Sequence, residues 1–186
     1  MREMLNHAFE NGCLSLELPD GALALTLYSE NALEAVFTPR DGASNAPSRA
    51  IGSHPAPVSA RLLESENGLG LETDGLSIDV RKRPFQIAYR FKGKRLVSEE
   101  GAVEKGFRFR LAEGEKLFGG GSRALGKMDR RGEKLELYNS ACYAYEETAR
   151  LMYYSMPAVV SSKKYMLVFD NAARGRMDLD SAGDGI

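Results

Sequence analysis

The feature that most constrains the fold of this chain is a period-two alternation of apolar and polar side chains. Leucines occupy alternate positions in 14–18 and again in 23–27, on either side of a Pro19-Asp20-Gly21 turn. Because proline presets φ and glycine accepts positive φ, this turn predicts a β-hairpin. The alternation returns in the runs 76–80, 85–91 and 107–111. Each run offers one apolar and one polar face, as strands of antiparallel sheets do.

The turns between these runs indicate the architecture. They recur about every eight to twelve residues, a spacing typical of β-sandwiches and barrels. Met166–Asp170 and Met177–Asp180 are further predicted strands, and the segment 39–57 is a predicted surface loop. Helical periodicity is nearly absent, and its best candidate is a turn or two at Tyr145–Met152. At 186 residues, the chain is predicted to form one all-β domain spanning 1–186, with few short helical turns.

Composition excludes several classes of partner. The net charge is −1, from 25 basic and 26 acidic side chains, so no nucleic-acid partner is expected. The basic run Arg81-Lys82-Arg83 is predicted to be a solvated strand end. No apolar run approaches the roughly 20 residues of a membrane helix, so no membrane partner is expected. Two cysteines, Cys13 and Cys142, imply no disulfide framework.

The N-terminus bears on the compartment. Residues 1–12 lack the apolar core of a secretory signal, which favours a cytoplasmic location. A periplasmic or secreted protein trimmed of its signal would look the same, so the compartment stays open.

The glycine-rich segment partly matches two nucleotide-binding motifs. Gly121–Lys127 has P-loop spacing, but Met128 replaces the hydroxyl residue that would hold magnesium. Gly119, Gly121 and Ala124 fit a loose dinucleotide fingerprint. Both motifs require a helix after the loop, whereas the following residues predict a turn and a strand. A tight glycine turn between strands is therefore favoured, and no cofactor is predicted.

Metal and acid–base sites have little support. His7 and His54 are the only histidines and have no neighbouring ligands at metal-site spacing. The carboxylate pairs Glu146–Glu147 and Asp178/Asp180 could in principle serve a glycosidase. Adjacent strand residues point to opposite faces, and charged groups are rarely buried, so solvated surface is the favoured interpretation.

A tyrosine cluster is the better functional lead. Each tyrosine combines an apolar face with a polar tip, which suits sugar contacts, although core packing and cross-strand pairing explain such residues equally well. The cluster comprises Tyr138, Tyr143, Tyr145, Tyr153 and Tyr154.

The segment from Phe109 to Asn171 resembles glycoside hydrolase family 31, the family of α-glucosidases and α-xylosidases. The matching pieces are the run Phe109–Gly119, the turn Asp129-Arg130-Arg131-Gly132, Leu137-Tyr138-Asn139, Tyr153–Pro157 and Tyr165–Asn171, with Pro84-Phe85 and Gly93 as an upstream strand pair. The resemblance is specific over about sixty residues and loose elsewhere. It implies the family's N-terminal domain, a β-sandwich of the galactose-mutarotase-like type.

By this resemblance the chemistry lies outside the chain. Family members hydrolyse α-glycosidic bonds with retention, using two carboxylates of a (β/α)₈ barrel that follows this domain. Such a barrel needs about 250 residues, and the chain has no tryptophan, so the family's Trp-containing nucleophile motif is absent. The chain is expected to be an accessory domain, cut after SAGDGI and inactive alone. Its expected partners are the catalytic barrel of the same polypeptide and an α-linked oligosaccharide, with homo-oligomerisation left open.

The resemblance also implies a site. The family's loop after this strand end reaches the barrel mouth and reads Asn-Arg-Asp in several α-glucosidases. Here Asn139, Ser140 and Ala141 stand at those positions, so the side chains that could make charged hydrogen bonds to a sugar are missing. Tyr143 and Tyr145 could line the subsite by stacking. These five residues are the predicted substrate-binding residues, and a loop that merely packs on the barrel is an equal alternative.

Two rival functions are compatible with the fold. One is a stand-alone carbohydrate-binding module without hydrolase activity. The other is an aldose-epimerase-like enzyme, which needs a histidine and a carboxylate as acid and base. Two isolated histidines make the epimerase the weaker rival.

Overall fold

A computed structural model describes residues 2–42, 48, 51–52, 55, 57–100, 106–141, 143, 147–170 and 173–186. The chain divides into two compact units, Met1–Arg110 and Leu111–Ile186. Strands and turns make up the regular structure of the described residues, which contain no helix. The predicted all-β class is therefore confirmed. The single-domain organisation of 1–186 stays a prediction.

The first unit contains a four-stranded antiparallel meander. Its strands are β1 (Asn6–Glu10), β2 (Cys13–Leu18), β3 (Gly21–Ser29) and β4 (Ala32–Pro39), in that order across the sheet. The predicted hairpin is confirmed, but its turn is shorter than predicted, since Leu18 pairs with Gly21 and only Pro19 and Asp20 lie between the strands.

A second antiparallel sheet completes this unit. Its strands are β5 (Arg61–Glu64), β6 (Gly68–Glu72), β7 (Leu76–Arg81), β8 (Gln86–Phe91), β9 (Lys94–Glu99) and β10 (Phe109–Arg110), in the order β10-β9-β8-β7-β6-β5. The alternation predicted over 107–111 thus yields only a two-residue strand. The basic run lies at the end of β7, where Arg81 and Arg83 are exposed as predicted and Lys82 is half-buried.

The two sheets of the first unit share one core. Alternate leucines of β2 and β3 are almost fully buried and belong to the same cluster as Leu71, Ile78 and Ile87 of the second sheet. Burying each such side chain stabilises the fold by roughly 1.5–3 kcal/mol. The period-two pattern thus builds a face-to-face packing of two sheets.

The second unit has two smaller sheets around its own core. One has the order β11-β13-β14, from β11 (Leu117–Gly119), β13 (Ala158–Ser161) and β14 (Met166–Val168). The other pairs β12 (Lys134–Leu137) with β15 (Gly175–Asp178). The buried cluster consists of Leu117, Leu135, Val159, Met177 and Leu179.

Three local predictions need correction. Residues 147–152 do not form the predicted helical turn, because the backbone N–H and C=O of Ala149 both bond to Ala124 in an isolated β-bridge. The last two strands end earlier than predicted, at Val168 and Asp178. Tyr145 and most of the predicted 39–57 loop lie outside the described residues.

The described part of the chain contains no helix with the length and hydrophobicity needed to cross a membrane.

Candidate functional site

The glycine run Gly119–Gly121, at the end of β11, packs closely against the backbone of another segment. Gly121 has φ of 88°, and a Cβ built there would lie 2.4 Å from the carbonyl oxygen of Tyr154 and 2.7 Å from the Cα of Ser155. Ser122 N–H donates to the same Tyr154 oxygen at 2.8 Å. No helix follows in 122–133, all of which are described. The run therefore forms the tight turn that the sequence favoured over a phosphate loop.

The chain that contacts this turn belongs to residues 138–155, which we name the tyrosine loop. Its two ends are joined at the base. Ser155 N–H donates to Asn139 Oδ1 at 2.6 Å, and the Ser155 hydroxyl donates to Tyr138 O at 2.8 Å. Ser140 N–H donates to Met152 O at 3.1 Å. Three hydrogen bonds thus clasp the outgoing and returning legs.

Arg123 lies beneath this clasp. Its Nη2 donates to Glu136 O at 2.5 Å and to Ser155 Oγ at 2.9 Å. The side chain is buried, with 8% exposed, and burial together with the nearby charge of Arg130 lowers the pKa of its guanidinium. Nε and Nη1 are buried without a hydrogen-bond partner in the described part of the chain.

The returning leg of the tyrosine loop is also held by charges. Arg150 Nη1 lies 2.7 Å from Glu133 Oε2, and Lys127 Nζ lies 2.8 Å from Glu133 Oε1. The hydrogen bonds from Lys127 and Arg150 lower the pKa of the buried Glu133 carboxyl. The adjacent bridge between Ala124 and Ala149 adds two backbone hydrogen bonds. Residues 149 and 150 are therefore fixed to the chain that follows the glycine run.

The Asp-Arg-Arg-Gly turn is structural. Asp129 Oδ1 accepts the N–H groups of Leu117 and Arg131. Arg131 Nε donates to Asp180 Oδ2 at 2.7 Å, and its Nη1 donates to the carbonyls of Ala112 and Glu115. These bonds use Nε and Nη1 of Arg131, so the motif holds the unit together.

One predicted surface carboxylate is buried. Asp178 is exposed and pairs with Lys134 at 3.4 Å, but the prediction that Asp180 also faces water is wrong. Asp180 lies beyond β15 with φ of 67°, so strand alternation no longer sets its direction. Burial raises the pKa of Asp180, but hydrogen bonds from Gly185 N–H and Arg131 outweigh it and the pKa is lowered. Of the other pair, Glu147 is exposed and Glu146 lies outside the described residues.

The buried carboxylate of Glu115 was not predicted from the sequence. Its Oε1 accepts the hydroxyls of Ser161 and Tyr165, and its Oε2 accepts Ala112 N–H at 2.7 Å. Burial is the main cause that raises the pKa of Tyr165, and the hydrogen bond to Glu115 raises it further. Glu115 lies before β11, where strand alternation sets no direction, and its partners Ser161 and Tyr165 are 46 and 50 residues away, so the sequence carried no signal. Both oxygens are occupied, so this carboxylate serves packing.

The tyrosines of the loop face solvent. Tyr143 is 85% exposed and Tyr153 is 55% exposed, and their rings meet edge-on at 6.5 Å. The Arg174 guanidinium lies 5.1 Å from the exposed Tyr138 ring. Tyr154 is exposed as well. Core packing is therefore wrong as an explanation for these four tyrosines.

The predicted substrate-binding residues have different surroundings. Asn139 and Ser140 form the loop clasp, whereas Ala141 and Tyr143 are exposed. Tyr145 lies outside the described residues. Contact of these residues with substrate stays a prediction.

An apolar surface lies on the β13–β14 hairpin. Val160 pairs with Met166, and Ala158 pairs with Val168, which puts these side chains on one face. Met166 is 59% exposed, and Val160 and Val168 are exposed too, as is Met156 just before β13. We name Met156, Val160, Met166 and Val168 the apolar face.

The histidines and cysteines form no metal centre in the described structure. Within the described residues, no group of three or more His, Cys, Asp or Glu side chains could hold a metal ion. His7 instead lies 3.3 Å from Glu64, and His54 is not among the described residues. Cys13 is a free thiol that accepts the Thr26 hydroxyl, while Cys142 also lies outside the described residues.

Comparison with known families identifies the fold. Residues 22–178 match the sequence model of the glycosyl hydrolase 31 N-terminal galactose mutarotase-like domain. The chain belongs to this family. The family resemblance and the galactose-mutarotase-like β-sandwich predicted from the sequence are confirmed, and the matched range covers most of both compact units.

Relatives of this family 31 domain are longer proteins. Alpha-glucosidase 2 of Bacillus thermoamyloliquefaciens is 25% identical over 182 residues, covering 91% of this chain and 23% of the relative. A dextranase of Flavobacterium johnsoniae, solved with glucose, superposes with a TM-score of 0.87 at 22% identity, over 96% of this chain and 23% of its own. An α-xylosidase from a soil metagenome, solved with xylose, gives 0.76 at 18% identity, over 95% and 29%. The domain thus spans about a quarter of each relative's length.

Family membership gives the signature motifs a physical meaning. In this family 31 domain the glycine run contacts the tyrosine loop, and the Asp-Arg-Arg-Gly turn joins β11 to the chain after β15. Both motifs therefore position parts of the second unit relative to each other.

Proposed function

We propose that this chain is the accessory domain of a retaining α-glycosidase of the α-glucosidase type. It docks on a catalytic (β/α)₈ domain of the same polypeptide and contributes the tyrosine loop to the site that binds an α-linked oligosaccharide. Family membership supports this proposal, as does the relative named an alpha-glucosidase, of which the chain matches 23%.

The apolar face is the observation that carries the docking role. Val160, Met166 and Val168 are exposed on one face of the β13–β14 hairpin, and the exposed Met156 lies just before β13. Contiguous exposed apolar surface typically marks an interaction site, because leaving it in water costs free energy. A catalytic domain covering Val160 and Met166 would remove that cost.

The tyrosine loop carries the sugar-binding role. Tyr143 and Tyr153 present aromatic surface to solvent in a fixed edge-to-face pair. Aromatic rings with polar tips suit contacts with sugar rings, whose faces are apolar and whose edges carry hydroxyls. Stacking would thereby substitute for the charged hydrogen bonds that Ser140 and Ala141 cannot make.

Hydrolysis itself belongs to the catalytic domain. Retention requires a carboxylate nucleophile and a carboxylic acid about 5–5.5 Å apart, both free to meet the glycosidic bond. Hydrogen bonds from the protein instead occupy the carboxylates that the second unit buries fully or partly, namely Glu115, Asp129, Glu133 and Asp180. The chain alone is therefore expected to be inactive.

The coding sequence after Ile186 provides the first test. A (β/α)₈ barrel with a nucleophilic aspartate in that reading frame is the expected finding, and a stop codon at that point would contradict the proposal. The full polypeptide should then hydrolyse maltose or an aryl α-glucoside, and the 186-residue chain should not.

Calorimetry distinguishes a stand-alone carbohydrate-binding module from the accessory domain of a glycosidase. The exposed tyrosine pair favours a test with the 186-residue chain and maltooligosaccharides. Millimolar or tighter binding by the chain alone, with no catalytic domain encoded, would support a stand-alone module instead. Acceleration of mutarotation of fresh α-glucose by the chain would favour the epimerase.

A further inference from the structure

Arg123 is placed where the fold alone gains little from a charge. The guanidinium is 8% exposed, and its first electrostatic neighbour is the like-charged Arg130 rather than a carboxylate. Of five donor hydrogens, those on Nε and Nη1 have no partner in the described residues. Burying unpaired donors costs free energy, which an apolar side chain of similar length would avoid.

The contacts that Arg123 does make converge on the tyrosine loop. Nη2 bridges the Glu136 carbonyl, in β12 two residues before the outgoing leg, and the Ser155 hydroxyl, on the returning leg. Ser155 connects this contact to the outgoing leg. Its hydroxyl donates to Tyr138 O, and its N–H donates to Asn139 Oδ1. The Arg123 guanidinium thereby adds a bridge between β12 and the returning leg to the three hydrogen bonds of the clasp.

We propose that Arg123 is a positioning residue for the tyrosine loop. It fixes Ser155, and through the returning leg it sets where Tyr153 and its edge-on partner Tyr143 stand relative to the sugar. This inference rests on the proposed function for its sugar-binding consequence. It goes beyond that function in assigning loop geometry to a residue that lies outside the loop.

Replacing Arg123 should leave the stability of the fold unchanged or higher while it makes the tyrosine loop less ordered. Arg123→Met removes the buried charge and its unpaired donors, so the urea midpoint of the 186-residue chain is expected to stay equal or rise. The same change frees Ser155, so amide hydrogen exchange at Ser140 and Ser155 should become about tenfold faster, the factor corresponding to one hydrogen bond with a charged group. Exchange at Leu135, in the core, should not change.

Three variants make the comparison specific. Arg123→Lys keeps a charge that can reach one acceptor, so exchange should be intermediate. Ser155→Ala should reproduce the effect, and the double variant should add little to either single change. Arg95→Met is the matched control, since Arg95 is exposed on β9 of the first unit and makes no described hydrogen bond to either leg.

Exchange results can overturn the proposal without reference to catalysis. Unchanged exchange at Ser140 and Ser155 in Arg123→Met would exclude a positioning role. Faster exchange at Leu135 to the same extent would show a general loss of stability and exclude it too. These outcomes are independent of whether the full polypeptide hydrolyses any glycoside.

Kinetics of the full polypeptide tests the consequence for sugar. Arg123→Met should raise KM for maltose about tenfold, while kcat/KM for an aryl α-glucoside, which places no second sugar against the loop, stays within about twofold. Equal losses for both substrates would overturn the proposed link between Arg123 and the binding of the second sugar. Absence of glycosidase activity in the wild type would refute the proposed function instead, and the exchange comparison would still decide the role of Arg123.

Discussion

Arg131 Nε lies 2.7 Å from Asp180 Oδ2, which joins the turn after β11 to the chain that follows β15. The Asp180 side chain is buried, and Arg131 is mostly buried. Breaking such a pair leaves one charge without its partner in a poorly solvated place, which costs far more than breaking a surface pair.

Asp180→Asn is therefore expected to destabilise the second unit by about 3 kcal/mol. The measurement is urea unfolding of the 186-residue chain at pH 7. Asp178→Asn is the matched control, because Asp178 is exposed and its pair with Lys134 should be worth about 1 kcal/mol or less. Equal losses in the two variants would contradict the importance of the buried pair.

The same pair predicts a pH dependence. The hydrogen bonds to Asp180 hold its folded pKa below the ordinary value of about 3.9. Its contribution to stability is thus complete above about pH 4 and is lost as the pH falls through the folded pKa. Unfolding free energies measured from pH 6 down to pH 2 should fall less steeply for Asp180→Asn than for the wild type. Parallel curves would refute this linkage.

Glu99, in the first unit, predicts a pH dependence of the unfolding free energy with the opposite sign. Burial raises its pKa, although the Tyr89 hydroxyl, 2.7 Å away, and Arg2 oppose the shift. Such a group costs stability as the pH rises through the folded pKa. Glu99→Gln keeps an acceptor for Tyr89 and removes the charge, so it should raise the unfolding free energy at pH 7. The advantage should disappear in urea titrations at pH 3, and a constant difference would argue against this origin.

Gly121→Ala tests the contact between the glycine run and the tyrosine loop. The new Cβ would lie 2.4 Å from the Tyr154 oxygen in a backbone with φ of 88°. The loss should exceed 2 kcal/mol, since strain from positive φ alone costs about 1–2 kcal/mol. Gly126→Ala is the control, with φ of 69° and open space at its Cβ. Thermal unfolding showing equal losses would mean that the contact with the loop does not matter.

The apolar face predicts a separation of stability from docking. Met166→Lys should leave the unfolding free energy of the 186-residue chain within about 0.5 kcal/mol of the wild-type value, because the side chain is exposed. In the full polypeptide it should expose the hairpin to limited proteolysis. Ala182→Lys adds the same charge at another exposed position and should not do so. Identical digestion patterns for the two variants would count against docking through this face.

Sequence patterns predicted the strands well where one face is buried. The leucines of β2 and β3 recur with period two because each contacts the same core. The pattern alone therefore indicates both the strands and the face that is buried. Ala149 and Asp180 were mispredicted because their surroundings depend on residues distant in sequence, namely Ala124 and Arg131. The role of Arg123 was invisible for the same reason, since Glu136 and Ser155 lie 13 and 32 residues away.

The clasp at the base of the tyrosine loop has a consequence for how such domains can diversify. Because hydrogen bonds among Tyr138, Asn139 and Ser155 close the loop at its root, the closure entropy depends only weakly on how many residues lie between. Insertions, deletions or grafted sequences between 141 and 148 would then leave the clasp, the Ala124–Ala149 bridge and the Arg150–Glu133 pair intact. Under the proposed function, exchanging this segment would change which glycan the enzyme binds while its framework stays the same.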